Sequence, residues 1–117
     1  DEGSNWESLL FSSHHKLNNL VIIIDYNKIQ SIDTVKKTLN LEPLSKKFQS
    51  FGCKVLNIDG HNFNKIFKAL SSNSSKPLVI VAHTVKGKGV SFMENSVLWH
   101  YKSLDAKNYK DAMRLIK

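Results

Sequence analysis

The chain has one cysteine, Cys53, among its 117 residues. A single thiol excludes an internal disulfide and a cysteine metal cluster, and its place at the head of the run Lys54 to Ile58 suits a buried packing residue. Arginine is equally scarce: Arg114 is the only one among 17 cations, in a chain of formal net charge +7. Such a charge invites nucleic acid. Base reading and bidentate phosphate capture favour arginine, however, and no aromatics alternate with the lysines as a stacking platform. The lysines are read as a solvated surface, and no nucleic-acid partner is expected. Long apolar stretches are absent too. Leu20 to Ile24 and Leu78 to Ala82 are too short to cross a bilayer, and no basic region followed by an apolar segment opens the chain. A soluble cytoplasmic protein with no membrane partner is expected. The five histidines, His14, His15, His61, His83 and His100, show no zinc-ligand spacing. His14 and His15 suit the end of a helix, and His83 reads as a hydrogen-bonded core residue. Repeats and low-complexity segments are also lacking.

What is present is enough for one packed domain over 1–117: 41% hydrophobic and 23% charged residues. Periodicity predicts a helix from about Asn5 to Lys16, with Trp6, Leu9, Leu10 and Leu17 on one face, then a strand from Leu20 to Asp25. Ser4-Asn5-Trp6-Glu7 has the form of a capping box, with Ser4 as the cap. A polar loop, Lys28 to Asn40, precedes a helix from about Glu42 to Phe51 that carries Leu44, Phe48 and Phe51 inward and ends at Gly52. A second strand, Lys54 to Ile58, turns at Asp59-Gly60-His61-Asn62 into a helix with Phe63, Ile66, Phe67 and Leu70 facing the core. Ser71 to Lys76 links it to a third strand, Leu78 to Thr84, and a last helix runs from about Asp105 to Ile116. Alternating strands and helices imply an α/β fold, a Rossmann-like layered parallel sheet with right-handed crossovers.

In such a sheet ligands bind beyond the carboxyl ends of the strands. Asp25 to Ile29, Asp59 to Asn62 and Thr84 to Gly89 should therefore gather on one edge, suited to a phosphate or metal–phosphate ligand. Lys86-Gly87-Lys88-Gly89 follows a strand as phosphate-cradling loops do, without the spacing of a nucleotide P-loop.

Three segments together resemble the thiamine-diphosphate-binding domain of the transketolase family, over nearly the whole chain. They are Asp1-Glu2-Gly3-Ser4-Asn5-Trp6-Glu7, Asp25-Tyr26-Asn27-Lys28-Ile29, and Lys86 to Asn95 followed by Trp99-His100. The resemblance implies thiamine diphosphate held through Mg2+ or Ca2+, with Asn27 and the Ile29 carbonyl as metal ligands. A further ligand, the aspartate of a Gly-Asp-Gly turn, would lie just before Asp1, so 1–117 is expected to be the carboxyl-terminal portion of that domain and inactive alone. Glu2 and Glu7 match glutamates near the cofactor and the subunit interface, which makes them candidate catalytic residues with His100, and Glu2, Gly3 and His100 are expected to bind the cofactor. His100 matches a histidine on the diphosphate and sugar side, although Tyr101 stands where a glycine usually follows. The implied reaction moves a two-carbon ketol unit between sugar phosphates. It needs a pyrimidine-binding domain or subunit in a homo- or hetero-oligomer. Two rivals are a non-catalytic assembly module of the same fold and another thiamine diphosphate enzyme such as 1-deoxyxylulose-5-phosphate synthase.

Overall fold

Five consecutive apolar residues with no polar alternation belong in a strand covered on both faces. In a computed structural model, which describes residues 2–116, Leu78–His83 is that strand. The element order is α1 (Gly3–His14), β1 (Val21–Tyr26), α2 (Val35–Thr38), α3 (Leu44–Ser50), β2 (Lys54–Asp59), α4 (Phe63–Leu70), β3 (Leu78–His83), a 3₁₀ turn (Leu98–His100) and α5 (Ala106–Leu115). The strands form one sheet in the order β1-β3-β2, with β3 parallel to both neighbours.

Packing divides the chain into two compact units. One holds the sheet and comprises the residues up to Tyr26 together with Leu41–His83; the other comprises Asn27–Asn40 and the residues from Thr84 onward. In the first unit, side chains alternate across β3. Val79 and Val81 join Leu9 of α1, Leu44 and Phe48 of α3, Tyr26 and Cys53 in the larger core. Leu78 and Ile80 meet Ala69 of α4 on the opposite face, beside Leu56 and Ile58. The β1-to-β2 connection moves one way across the sheet with α3 on one face. The β2-to-β3 connection moves back with α4 on the other, so both crossovers have the same hand. Trp6 stacks on Phe48 with ring centroids 5.4 Å apart. Gly52 follows α3 at φ +86, a left-handed conformation that calls for glycine.

The structure departs from the sequence reading in several places. Helix α1 begins two residues earlier than the capping box implies. Glu2 is its N-cap, with no side-chain capping bond, and Ser4 lies inside the helix, its carbonyl accepting from Ser8 Oγ. Of the residues assigned to its inner face, Leu9 is buried, Leu10 is 57% exposed, and Leu17 lies beyond the helix end. The Lys28 to Asn40 loop contains the short helix α2. The assigned core face of α4 is largely turned outward: Phe63 is 86% and Phe67 74% exposed, and Leu70 is exposed as well. The small Ala69 makes the close approach to the sheet instead, and Ile66 is only half-buried. Among the described residues no helix is long and apolar enough to cross a membrane.

Phe48 and Phe67 therefore separate burial from composition. Phe48→Ala should lower the unfolding free energy by about 3–5 kcal/mol, whereas Phe67→Ala should stay within about 0.5 kcal/mol of the parent. Urea unfolding followed by circular dichroism would show the assignment of faces to be wrong if the two losses were equal.

Candidate functional site

The register places Tyr26, His83 and Asp59 in one row at the carboxyl ends of the three strands. Around that row the first unit builds a polar cluster. The Tyr26 ring is buried, and its hydroxyl donates to Glu42 Oε1, while Glu42 Oε2 accepts from the Leu44 N–H at 3.0 Å. Burial and the neighbouring carboxylate raise the phenol from its ordinary value of 10.0 to about 12. The edge of the Tyr26 ring meets His83, with centroids 5.6 Å apart. His83 is exposed, contrary to its sequence reading as a core residue, because the strand is ending there. Its Nε2 lies 3.1 Å from Asn57 Oδ1, which also accepts from Ser45 Oγ at 3.0 Å. The turn after β2 is tied by Asp59 Oδ1 accepting from the His61 N–H, and Asn62 caps α4 by accepting from the Lys65 N–H. Sequence reasoning found the row of strand ends but not the Tyr26–Glu42 and His83–Asn57–Ser45 pairings.

Past Tyr26 the chain enters the second unit. Asn27 Oδ1 accepts from the Ile29 N–H at 2.9 Å, and Lys28 between them has φ +64. A long side chain in the left-handed region is strained, and such strain persists where the surroundings impose it. Here a short bridge between Ile29 and Thr34 does so: Lys28 O accepts from the Val35 N–H at 2.9 Å, and the Gln30 N–H donates to Asp33 O at 2.8 Å. The Ile29 carbonyl takes no part in these bonds among the described residues. Asp33 Oδ1 accepts from the Thr34 N–H, and that bond, seconded by Lys37 at 3.3 Å, holds its carboxyl below the usual range. Asn27 is thus the turn residue its type predicts, and its oxygen, with two lone pairs, gives only one of them to Ile29.

The same unit carries the glycine loop. The Asn95 N–H donates to Lys86 O at 3.0 Å and closes Lys86 to Asn95 into a ring. Gly87, at φ +74, lies so close to the Met93 carbonyl that a Cβ would sit 2.6 Å from its oxygen. Glu94 Oε1 accepts from the Gly89 N–H and lies 3.8 Å from Lys88 Nζ. Trp99 Nε1 donates to Phe92 O at 2.9 Å, so the loop is tied to the 3₁₀ turn on which the exposed His100 stands edge-on to Tyr101. No hydrogen bond joins His100 to Asn27 or Ile29 among the described residues. Glu2, Gly3 and Glu7 stand at the start of α1, in the first unit, and Glu2 and Glu7 are exposed surface side chains. Gly3 is helical, and nothing lies within 4 Å of where its Cβ would be, so neither backbone nor packing asks for glycine there. Asp1 lies outside the described residues. Among the described residues no three histidine, cysteine or carboxylate side chains group as metal ligands. The oxygens of Asn27 and Ile29 are neutral donors of the kind that suits a hard cation also bound by phosphate.

A family model described as the thiamine diphosphate binding domain of transketolase matches residues 1–115. An apulose-4-phosphate transketolase subunit of Phocaeicola vulgatus is 36% identical over 116 residues, which cover 97% of this chain and 41% of that protein. A 6-deoxy-6-sulfo-D-fructose transketolase subunit from a Clostridium species is 39% identical, over 97% of this chain and 42% of its own length. The solved structure of Campylobacter jejuni transketolase superposes with a TM-score of 0.90 at 33% identity, covering 98% of this chain and 18% of that one. The chain spans about two fifths of the two subunit relatives.

The raised Tyr26 phenol has a signed consequence. Between about pH 10 and about pH 12 the unfolded chain releases a proton that the folded chain keeps, so this contribution to stability is intact below the window and lost across it. Alkaline unfolding followed by tyrosinate absorbance should be shallower over that window in Tyr26→Phe than in the parent, and identical slopes would refute the assignment.

Proposed function

The chain belongs to the transketolase family through its thiamine diphosphate binding domain, and from that premise we propose that it forms part of an enzyme moving a two-carbon ketol unit between sugar phosphates. The observation that carries the reading is the strained turn after β1. It presents the Asn27 side-chain oxygen and the Ile29 main chain two residues apart, where the chain leaves the row of strand ends. Asn27 and Ile29 would hold Mg2+ or Ca2+, which in turn would hold the cofactor's diphosphate. Thiamine diphosphate, when bound, supplies the electron sink for breaking and making the carbon–carbon bond.

The remaining roles belong to this chain's side chains. His100 is exposed on a turn anchored through Trp99, so it can present an imidazole to a sugar phosphate and position it or carry a proton. Glu2, Gly3 and Glu7 share the start of α1, where the open space beside Gly3 admits a cofactor or a neighbouring protomer. Relatives named as transketolase subunits support an assembly in which a pyrimidine-binding domain or subunit completes the site and an oligomer forms. The same chain without cofactor binding, acting only as an assembly module, is the outcome that calorimetry would separate.

In the enzyme assembled with its pyrimidine-binding partner, Asn27→Ala should weaken cofactor binding at fixed Mg2+, with activity partly recovered at saturating cofactor. His100→Ala should leave cofactor affinity nearly intact and lower turnover by about 10²–10⁴-fold if it transfers a proton. Calorimetry and ketol-transfer kinetics read the two apart. Unchanged cofactor affinity in Asn27→Ala, or rates within about twofold of the parent in His100→Ala, would overturn the corresponding role.

A further inference from the structure

The segment that bears Asn27 and Ile29 leaves the first unit and returns to it. Tyr26 is the last residue before the excursion Asn27–Asn40, and Leu41 is the first after it. The two flanks are tied inside the first unit, where the Tyr26 hydroxyl donates to Glu42 Oε1. Glu42 stands at the surface, but its second oxygen accepts from the N–H of the buried Leu44 at 3.0 Å. The carboxylate is therefore held at both oxygens. Packing accounts for the Tyr26 ring, which lies in the larger core, but phenylalanine would fill that place equally well. Its hydroxyl asks for another reason. Burial and then the Glu42 carboxylate raise the phenol to about 12, so it remains a donor throughout the neutral range.

Lys28, two residues beyond Tyr26, keeps a left-handed φ of +64, which persists only where the surrounding structure over-determines it. Beyond Lys28 the turn is held by the Ile29 N–H on Asn27 Oδ1 and the Val35 N–H on Lys28 O, each at 2.9 Å. Before it comes Tyr26. We propose that Tyr26 and Glu42 are a positioning pair, whose bond pins the base of the Asn27–Asn40 excursion and so keeps the Asn27–Ile29 turn in its cation-binding conformation. The inference rests on the ligand roles proposed above for Asn27 and Ile29. The pair acts through the backbone, as a shell that supports ligands rather than as ligands.

The test uses the enzyme assembled with its pyrimidine-binding partner. In the cofactor-free enzyme, hydrogen exchange read by mass spectrometry should be about three- to tenfold faster over 27–38 in Tyr26→Phe, with exchange over Leu78–His83 unchanged. Calorimetry at fixed Mg2+ should show the dissociation constant for thiamine diphosphate raised by a similar factor, with turnover at saturating cofactor near that of the parent. Glu42→Ala should lose at least as much. Glu42→Gln, whose amide can still serve both the Tyr26 oxygen and the Leu44 N–H, should stay within about twofold of the parent. Unchanged exchange over 27–38 in Tyr26→Phe overturns the proposal, as does faster exchange shared by Leu78–His83, which would mean general loosening. Faster local exchange with unchanged cofactor affinity overturns it too. Asn27→Ala then tells the two readings apart: weaker cofactor binding in that variant leaves the ligand role standing and only the positioning pair falls, whereas unchanged binding removes both.

Discussion

Leu78 to Ala82 are almost entirely withdrawn from water and are hydrogen-bonded to β1 on one side and to β2 on the other. A strand this apolar cannot lie at an edge or turn a face to solvent without a large hydration penalty. That requirement puts α1 and α3 against one face and α4 against the other, and it aligns the three strand ends. From this alignment come the row Tyr26, His83, Asp59 and the departure of the chain into the turn that bears Asn27. The row of strand ends is thus a by-product of burying one strand.

The polar groups beyond that row are held by local bonds of different kinds. The Tyr26–Glu42 bond joins β1 to the residues just before α3 and orders both by a single carboxylate, one of whose oxygens serves Tyr26 and the other the Leu44 amide. The turn at Asn27 to Ile29 is closed by a side chain mimicking a backbone carbonyl, at the cost of a lysine in left-handed conformation. The glycine loop is closed by the Asn95 N–H on Lys86 O and braced by the Glu94 carboxylate on the Gly89 N–H, and Gly87 is compulsory because the Met93 carbonyl occupies the space of a side chain.

Strands were legible because their signals are local and redundant: an unbroken apolar run for β3, a glycine with the required left-handed φ behind α3, and a turn of Asp59 to Asn62 before α4. Parallel pairing and the convergence of strand ends followed from alternation of helices and strands. The faces of α4 were not legible, since an amphipathic helix shows which residues share a side but not which side meets the sheet when a small residue allows closer approach. His83 misled for a similar reason, lying in an apolar run but at the residue where cover ends. Pairings such as Tyr26 with Glu42 have no sequence signature, because the partners lie on separate elements. Asn27, Ile29 and His100 were singled out through resemblance alone. Spacing alone reached only a metal–phosphate ligand.

The strand order β1-β3-β2 also bears on how the chain acquires its fold on the ribosome. The middle strand is the last of the three to be made, so β1 and β2 lack the neighbour they share until α4 and the linker after it have emerged. At translation speeds of about 5–20 residues per second, Val21 to Ile24 and Val55 to Ile58 wait for seconds without the pairing that β3 provides. Nascent chains therefore pass through an interval in which holding chaperones have a defined target, and synonymous changes that slow translation between β2 and β3 would lengthen it.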